Sequence, residues 1–138
     1  TLRGTFRFIT GRSAKSAYEI STSSATIGNR GTGFDFWDKR QSGVAVMNGR
    51  VSLCSGGRCA ILDEQCEVGR AGGGTAKELT GADAGAAIFN NFPYIVNQSP
   101  LRSQFRLPIN RCRNAMAKAM NPGNNGTQND PPPERNND

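Results

Sequence analysis

Residues 24–36 read SATIGNRGTGFDF, so that three glycines and an arginine run into an aspartate set between two phenylalanines. Two readings compete. A Gly-rich loop joining a strand to a helix would cradle a phosphate on free backbone N–H groups. Here the following residues, FDFW, alternate as a strand does, and no Lys-Ser or Lys-Thr ends the loop. Gly28, Gly31 and Gly33 also match neither common nucleotide-binding spacing. The stretch is therefore read as scaffold that turns the chain, and it points to a β fold. Arg30 is then a structural arginine held by carbonyl or carboxylate oxygens, with Asp35 or Asp38 as its partner. Recognition of a ligand by Arg30 is the alternative.

The neighbouring sequence carries the same period. TFRFIT, residues 5–10, places Phe6 and Phe8 on one side and Arg7 on the other, and Phe34 and Phe36 flank Asp35 in the same way. GVAVMNGRVSLC, residues 43–54, reads as two strands about Asn48-Gly49, a dipeptide suited to positive φ. That turn closes a hairpin or rounds the corner of a β-solenoid. RAGGGT, residues 70–75, reads as a hinge. Beyond it, Thr80 and Asp83 have capping-box spacing ahead of an Ala-rich run to Phe89, which predicts a short helix. FPYIV, residues 92–96, is expected to be extended. Ile109, Cys112, Met116 and Ala119 recur at helical spacing between Pro108 and Pro122-Gly123, which predicts a second helix. Residues 122–138 have almost nothing apolar to bury and are expected to form a disordered tail.

The stretch ISTSSATIGNRGTGFDF, preceded by GTFRFITG and followed by VAVMNGRVSL, resembles the second half of a FecR-type domain, a periplasmic module named for regulators of iron dicitrate transport. The core of the resemblance is Ala25-Thr26-Ile27-Gly28, then Arg30-Gly31-Thr32, then the aromatic strand and the Val-rich strand. It spans residues 3–70 and implies a mainly β module of short strands, solenoid-like or sandwich-like, with its first half lacking. In that reading Gly28, Arg30, Gly31 and Thr32 form a structural turn motif without chemistry. The family usually has an aliphatic residue where this chain has Asn29, so packing there is expected to differ. The strand edge left open by a missing first half invites pairing with another chain, and hence an oligomer.

The chain has 138 residues, enough for one core, with 17 Lys+Arg against 11 Asp+Glu and a net charge of +6. No run of about 18 apolar residues spans a bilayer, and Thr1 is not followed by a signal-peptide pattern. The start is that of a mature protein or a fragment. With no histidine, a Cys/His zinc site is excluded, as are Cys–His and Ser–His–Asp catalysis. Disulfides are the leading use of Cys54, Cys59, Cys66 and Cys112, which places the chain in the bacterial periplasm or outside the cell. Cys54 and Cys59 enclose the Gly-rich turn SGGR, which would bring them within bonding range. Cys66 and Cys112 would then staple the C-terminal helix to the β region, although four cysteines allow three pairings. An acidic group, Asp63, Glu64 and Glu67, reads as a solvated loop more readily than as a carboxylate site.

No acidic residue lies between Asp83 and Asp130, whereas Arg102, Arg106, Arg111, Arg113 and Lys118 do. With Tyr94 and Phe105 nearby, they form a basic patch for an acidic protein, an anionic glycan or a lipid surface, or else a solubilising face. Nucleic acid is disfavoured by the compartment. Trp37 is a cap of the β core or an exposed anchor for a partner. These readings converge on a β domain over residues 1–70, a Gly-rich linker over 71–79, and short helices with an extended segment over 80–121. The expected function is that of a non-catalytic sensor, scaffold or adaptor meeting an envelope protein, without metal or cofactor. The alternative is polyanion or cell-envelope glycan binding through the C-terminal patch.

Overall fold

The computed structural model describes residues 4–10 and 18–120. Strands β1 (Gly4–Ile9), β2 (Tyr18–Ser21), β3 (Thr26–Asp38), β4 (Ser42–Ser55), β5 (Arg58–Leu62), β6 (Val68–Gly72) and β7 (Thr75–Leu79) precede helices α1 (Gly81–Asn91), α2 (Pro93–Val96) and α3 (Asn110–Met120). The mainly β class with a short C-terminal helical segment is what the alternation of the sequence required. All seven strands join one antiparallel sheet, in the order β1-β3-β4-β6-β7, with β2 added on β3 and β5 on β4. No helix among the described residues is long and apolar enough to cross a membrane.

The sheet curls because β3 and β4 are long and bend together. Their register shifts between Arg30 and Gly33 and again between Gly33 and Phe34, which puts one extra residue into each strand. An extra residue reverses which side chains face inward. In β3 the buried apolar positions change from Ile27 to Phe34 and Phe36, and in β4 from Val44 and Val46 to Val51 and Leu53. Both arms thus feed one core, shared by Ile27, Phe34, Phe36, Val44, Val46, Val51, Leu53 and Leu62. At the corner Gly31 (φ 139°) and Gly49 (φ 108°) touch backbone to backbone, and a Cβ on Gly49 would lie 2.6 Å from the Gly31 Cα. Only glycine permits that approach. Asn48-Gly49 is therefore not a turn between two strands, as expected, but part of the bend inside the single strand β4.

The opposite face of the second arm carries a second core. Trp37, Ala45, Met47 and Val68 from the sheet pack there against Ala84, Ile88, Phe92, Ile95, Ile109 and Cys112 from the helical layer. Helix α1 meets α3 closely, because Gly85 leaves no Cβ to collide with the Ala115 carbonyl. The expected linker over 71–79 is replaced by the β6–β7 hairpin. Gly73 (φ 60°) and Gly74 (φ 84°) supply its two-residue turn, while Val68 and Leu79 pair across its open end. Glycine suits a hinge and a tight hairpin turn equally, and the flanking apolar residues decide for the hairpin.

The region following that hairpin also departs from expectation. FPYIV is helical at Pro93–Val96, because Pro93 occupies the first turn while Phe92 and Ile95, three apart, both bury. Thr80 is the N-cap residue of α1, yet its side chain makes no capping hydrogen bond and Asp83 stays exposed. Residues 121–138, expected to form a tail, lie outside the described residues.

Candidate functional site

The polar centre of the fold lies where β1 crosses β3. The register places Phe6 on Phe36, Arg7 on Asp35 and Phe8 on Phe34. The aromatic rings meet on the inner face, with Phe6–Phe36 centroids 5.1 Å apart and Phe8–Phe34 centroids 5.2 Å apart. The charged pair faces the helical layer, where the side chains are 4% (Arg7) and 0% (Asp35) exposed. Arg7 Nε donates to Asp35 Oδ1 at 2.6 Å, and Nη2 donates to Oδ2 at 3.1 Å, a bidentate fork. The same guanidinium donates to the carbonyls of Phe105 (3.0 Å) and Tyr94 (3.4 Å) and to the side-chain oxygen of Gln98. Gln98 in turn donates to the Leu107 carbonyl and accepts from the Leu107 N–H. Burial pushes the Asp35 carboxyl up, and the Arg7 hydrogen bonds and charge pull it back.

This cluster fixes the 94–107 segment to the sheet. Both carboxylate oxygens of Asp35 are engaged and Arg7 is held on every side, so the arrangement acts as a clamp. The expected pairing of Arg30 with Asp35 or Asp38 is corrected by this geometry. Asp35 takes Arg7, while Asp38 accepts from the Ser23 N–H (3.1 Å), the Ser23 hydroxyl (2.8 Å) and the Ser42 hydroxyl (3.4 Å). Ser42 also hydrogen-bonds Thr22 and Ser24, so the TSS run is a hydroxyl network pinned beneath the end of β3. Arg7 was missed in the sequence as a site residue. Its signal was the matched patterns FRF and FDF, whose apolar and charged positions complement each other when the strands run antiparallel.

The remaining sequence-derived residues fall apart into separate places. Gly28, Arg30, Gly31 and the backbone of Thr32 lie on β3 at and before the bend. Asn29 is buried, and its side-chain amide has no hydrogen-bond partner among the described residues. Trp37 is 9% exposed, lies across the strand pair over Gly43, and has the Lys39 ammonium 5.8 Å from its ring centroid. That burial leaves it little surface for a partner. Tyr94 contributes its carbonyl to the clamp. Arg106 donates to the Leu101 (2.8 Å) and Ser99 (3.0 Å) carbonyls, and Arg111 pairs with Glu64 at 3.2 Å, whereas Arg102 and Arg113 are exposed without an ion pair among the described residues.

Cys54 is bonded to Cys59 and Cys66 to Cys112. The first bond closes the β4–β5 hairpin beside its Gly56-Gly57 turn. The second ties α3 to the loop before β6, where the Cys66 N–H donates to the Val46 carbonyl at 2.6 Å and Cys66 adopts φ 68°. A groove of ≈ 550 Å³ opens beside this staple, lined in part by Glu64, Glu67, Glu78, Arg111 and Lys118. The Asp63 and Glu64 N–H groups donate to Glu67 at 2.8 and 2.9 Å. Partial burial pushes the Glu67 carboxyl up, but those hydrogen bonds hold it below its ordinary range. Burial, the hydrogen bond to Glu67 and the surrounding negative charge raise Glu78.

The family model described as FecR protein matches residues 1–52. This partial match covers β1 to β3 and most of β4, and it agrees with the resemblance carried by the ATIG and RGT motifs. No curated protein and no solved structure matched the chain.

Proposed function

We propose that this chain is a non-catalytic sensor, scaffold or adaptor module of the periplasm, working through protein–protein contacts. The observation that carries the reading is the FecR match over residues 1–52, since that family suggests a signalling or regulatory module. Two polar groups of the matched strands serve structure, the Arg7–Asp35 clamp and the Asp38–Ser23–Ser42 network. Two disulfides favour an oxidising compartment. The helical layer supplies surface for a partner. Of the six large hydrophobic residues exposed among the described residues, Phe89, Val96, Phe105 and Met120 belong to it.

The test is a pull-down from a bacterial envelope extract with the oxidised chain, washed at low and at high salt. A protein held through the high-salt wash, and lost from a Phe89→Ser/Phe105→Ser variant, is the expected result. Anionic material released by salt would instead favour binding of a cell-envelope glycan by the C-terminal basic residues, for which exposed Arg102 and Arg113 are the specific support.

A further inference from the structure

Strands β3 and β4 set Arg30 directly opposite Arg50. Strand alternation puts both on the outer face of the first arm, with Gly28, Ser52 and Ile61. Each arginine is exposed, and neither forms an ion pair or a side-chain hydrogen bond among the described residues. Like charges directly opposite each other destabilise a strand pair. A guanidinium cannot relieve this by losing its proton, whereas an anion held between the two would relieve it. Glu19, the nearest acid by register, lies opposite Gly28 on β2 and makes no ion pair with either arginine.

Between the arginines and Ile61 lies a hollow of ≈ 490 Å³, lined by Gly28, Asn29, Arg30, Arg50, Ser52 and Ile61. Its volume falls in the range of small-molecule sites, about 300–1,000 Å³. The absence of a side chain at Gly28 keeps its floor open, since a Cβ there would sit 2.7 Å from Ser52 Oγ. The lining combines two cationic forks, one hydroxyl and, at Ile61, an apolar wall that is 43% exposed.

We propose that this hollow is a binding site for a phosphate monoester, clamped between Arg30 and Arg50 with Ser52 as an additional donor. The charge balance selects phosphate over carboxylate. One fork satisfies a carboxylate, whereas two facing forks match the second charge that a phosphate monoester acquires above about pH 6. Arginine suits the role because its planar donors meet phosphate oxygens two at a time. The site is distinct from the helical-layer surface, so it stands or falls independently of the protein-contact reading.

The experiment titrates the oxidised full-length chain with glucose 1-phosphate at constant ionic strength, with glucose as control, following the arginine side-chain N–H signals by NMR. A second arm measures co-sedimentation with phosphatidylcholine vesicles containing phosphatidic acid. Saturable shifts confined to Arg30 and Arg50, stronger at pH 7.5 than at pH 5, are expected, with affinity falling about tenfold or more in Arg30→Gln or Arg50→Gln. Arg30→Lys retains part of the affinity. All three substitutions are on exposed side chains and should keep the fold, which circular dichroism checks. Saturation by the sugar phosphate alone identifies a soluble or glycan-borne phosphate, and retention by vesicles alone identifies a lipid headgroup. Shifts spread equally over Arg102 and Arg113, or affinity unchanged in the Arg30→Gln/Arg50→Gln double variant, overturn the proposal.

Discussion

Strand β3 meets an arginine at each end of its bend, and the two crossings have opposite solutions. At Asp35 the facing strand brings Arg7, the charges are of opposite sign, both are buried, and the donors are consumed. At Arg30 the facing strand brings Arg50, the charges are alike, and both stay in water without a partner among the described residues. The first crossing serves the fold and can do little else. The second costs the fold something and leaves its chemistry available. The groove beside the Cys66–Cys112 staple provides a third case. There Glu67 and Glu78 also place like charges together, and Glu78, raised by burial and then by its neighbour, can relieve them by taking up a proton as pH falls. Carboxylates have that route and arginines do not, so the Arg30–Arg50 pair, which strand alternation turns outward, keeps both its charges.

Breaking the buried crossing has the largest expected effect. Asp35→Asn leaves Arg7 charged and under-paired in the interior and should cost about 3–5 kcal/mol in urea unfolding. Replacing both partners, as Arg7→Met/Asp35→Leu, should recover most of that loss. A double variant no better than Asp35→Asn would show that the hydrogen bonds of Arg7 to the 94–107 segment, more than its charge pairing, set the cost.

The staple comes next. Cys66→Ala/Cys112→Ala opens a loop with a sequence separation of 46 and should lose about 4 kcal/mol. The clamp at Arg7 then holds the helical layer to the sheet without a covalent tie. Hydrogen exchange should show α3 loosening before β3, and equal loosening of both would deny that the two layers are separately anchored.

Asn29→Val should gain about 1–3 kcal/mol, because it replaces a buried amide without a partner among the described residues by an aliphatic side chain. A loss instead would mean that the amide is satisfied by water. Arg30→Gln should gain about 0.2–1 kcal/mol by removing the like-charge opposition. No gain would mean that the two guanidiniums already avoid each other, and the comparison between the crossings would lose its energetic half.

The smallest effect is a pH dependence. Glu78 titrates higher folded than unfolded, so its contribution is full below the unfolded value and is lost as pH rises through the folded one. Glu78→Gln should therefore stabilise the protein at pH 7 and leave it unchanged near pH 4. Parallel stability curves for the two proteins would remove the like-charge reading of this groove.

How much of this was legible follows from the range of each interaction. The strand character of TFRFIT and GFDFW was visible because alternation is local. That Arg7 faces Asp35 was not, since the contact joins residues 28 apart and depends on a register that the bend in β3 sets. Asn48-Gly49 carried a positive-φ signal correctly at Gly49, but its meaning depended on Gly31 across the strand pair. The two disulfides were legible because a short Gly-rich turn selected Cys54 with Cys59 and left the others to each other. The Arg30–Arg50 hollow was out of reach, because neither residue is near the other in sequence and no motif marks the pair.

Wherever proteases reach the chain, the staple has a further consequence. The bond from Cys66 to Cys112 encloses α1, α2 and the largely exposed stretch of residues 97–106. A cut there yields two fragments that remain covalently joined, with the Arg7 clamp still gripping the residues upstream of the cut through Tyr94. Nicked and intact chains would run alike on a non-reducing gel and separate only after reduction, so proteolytic damage to this loop need not cost the molecule its shape.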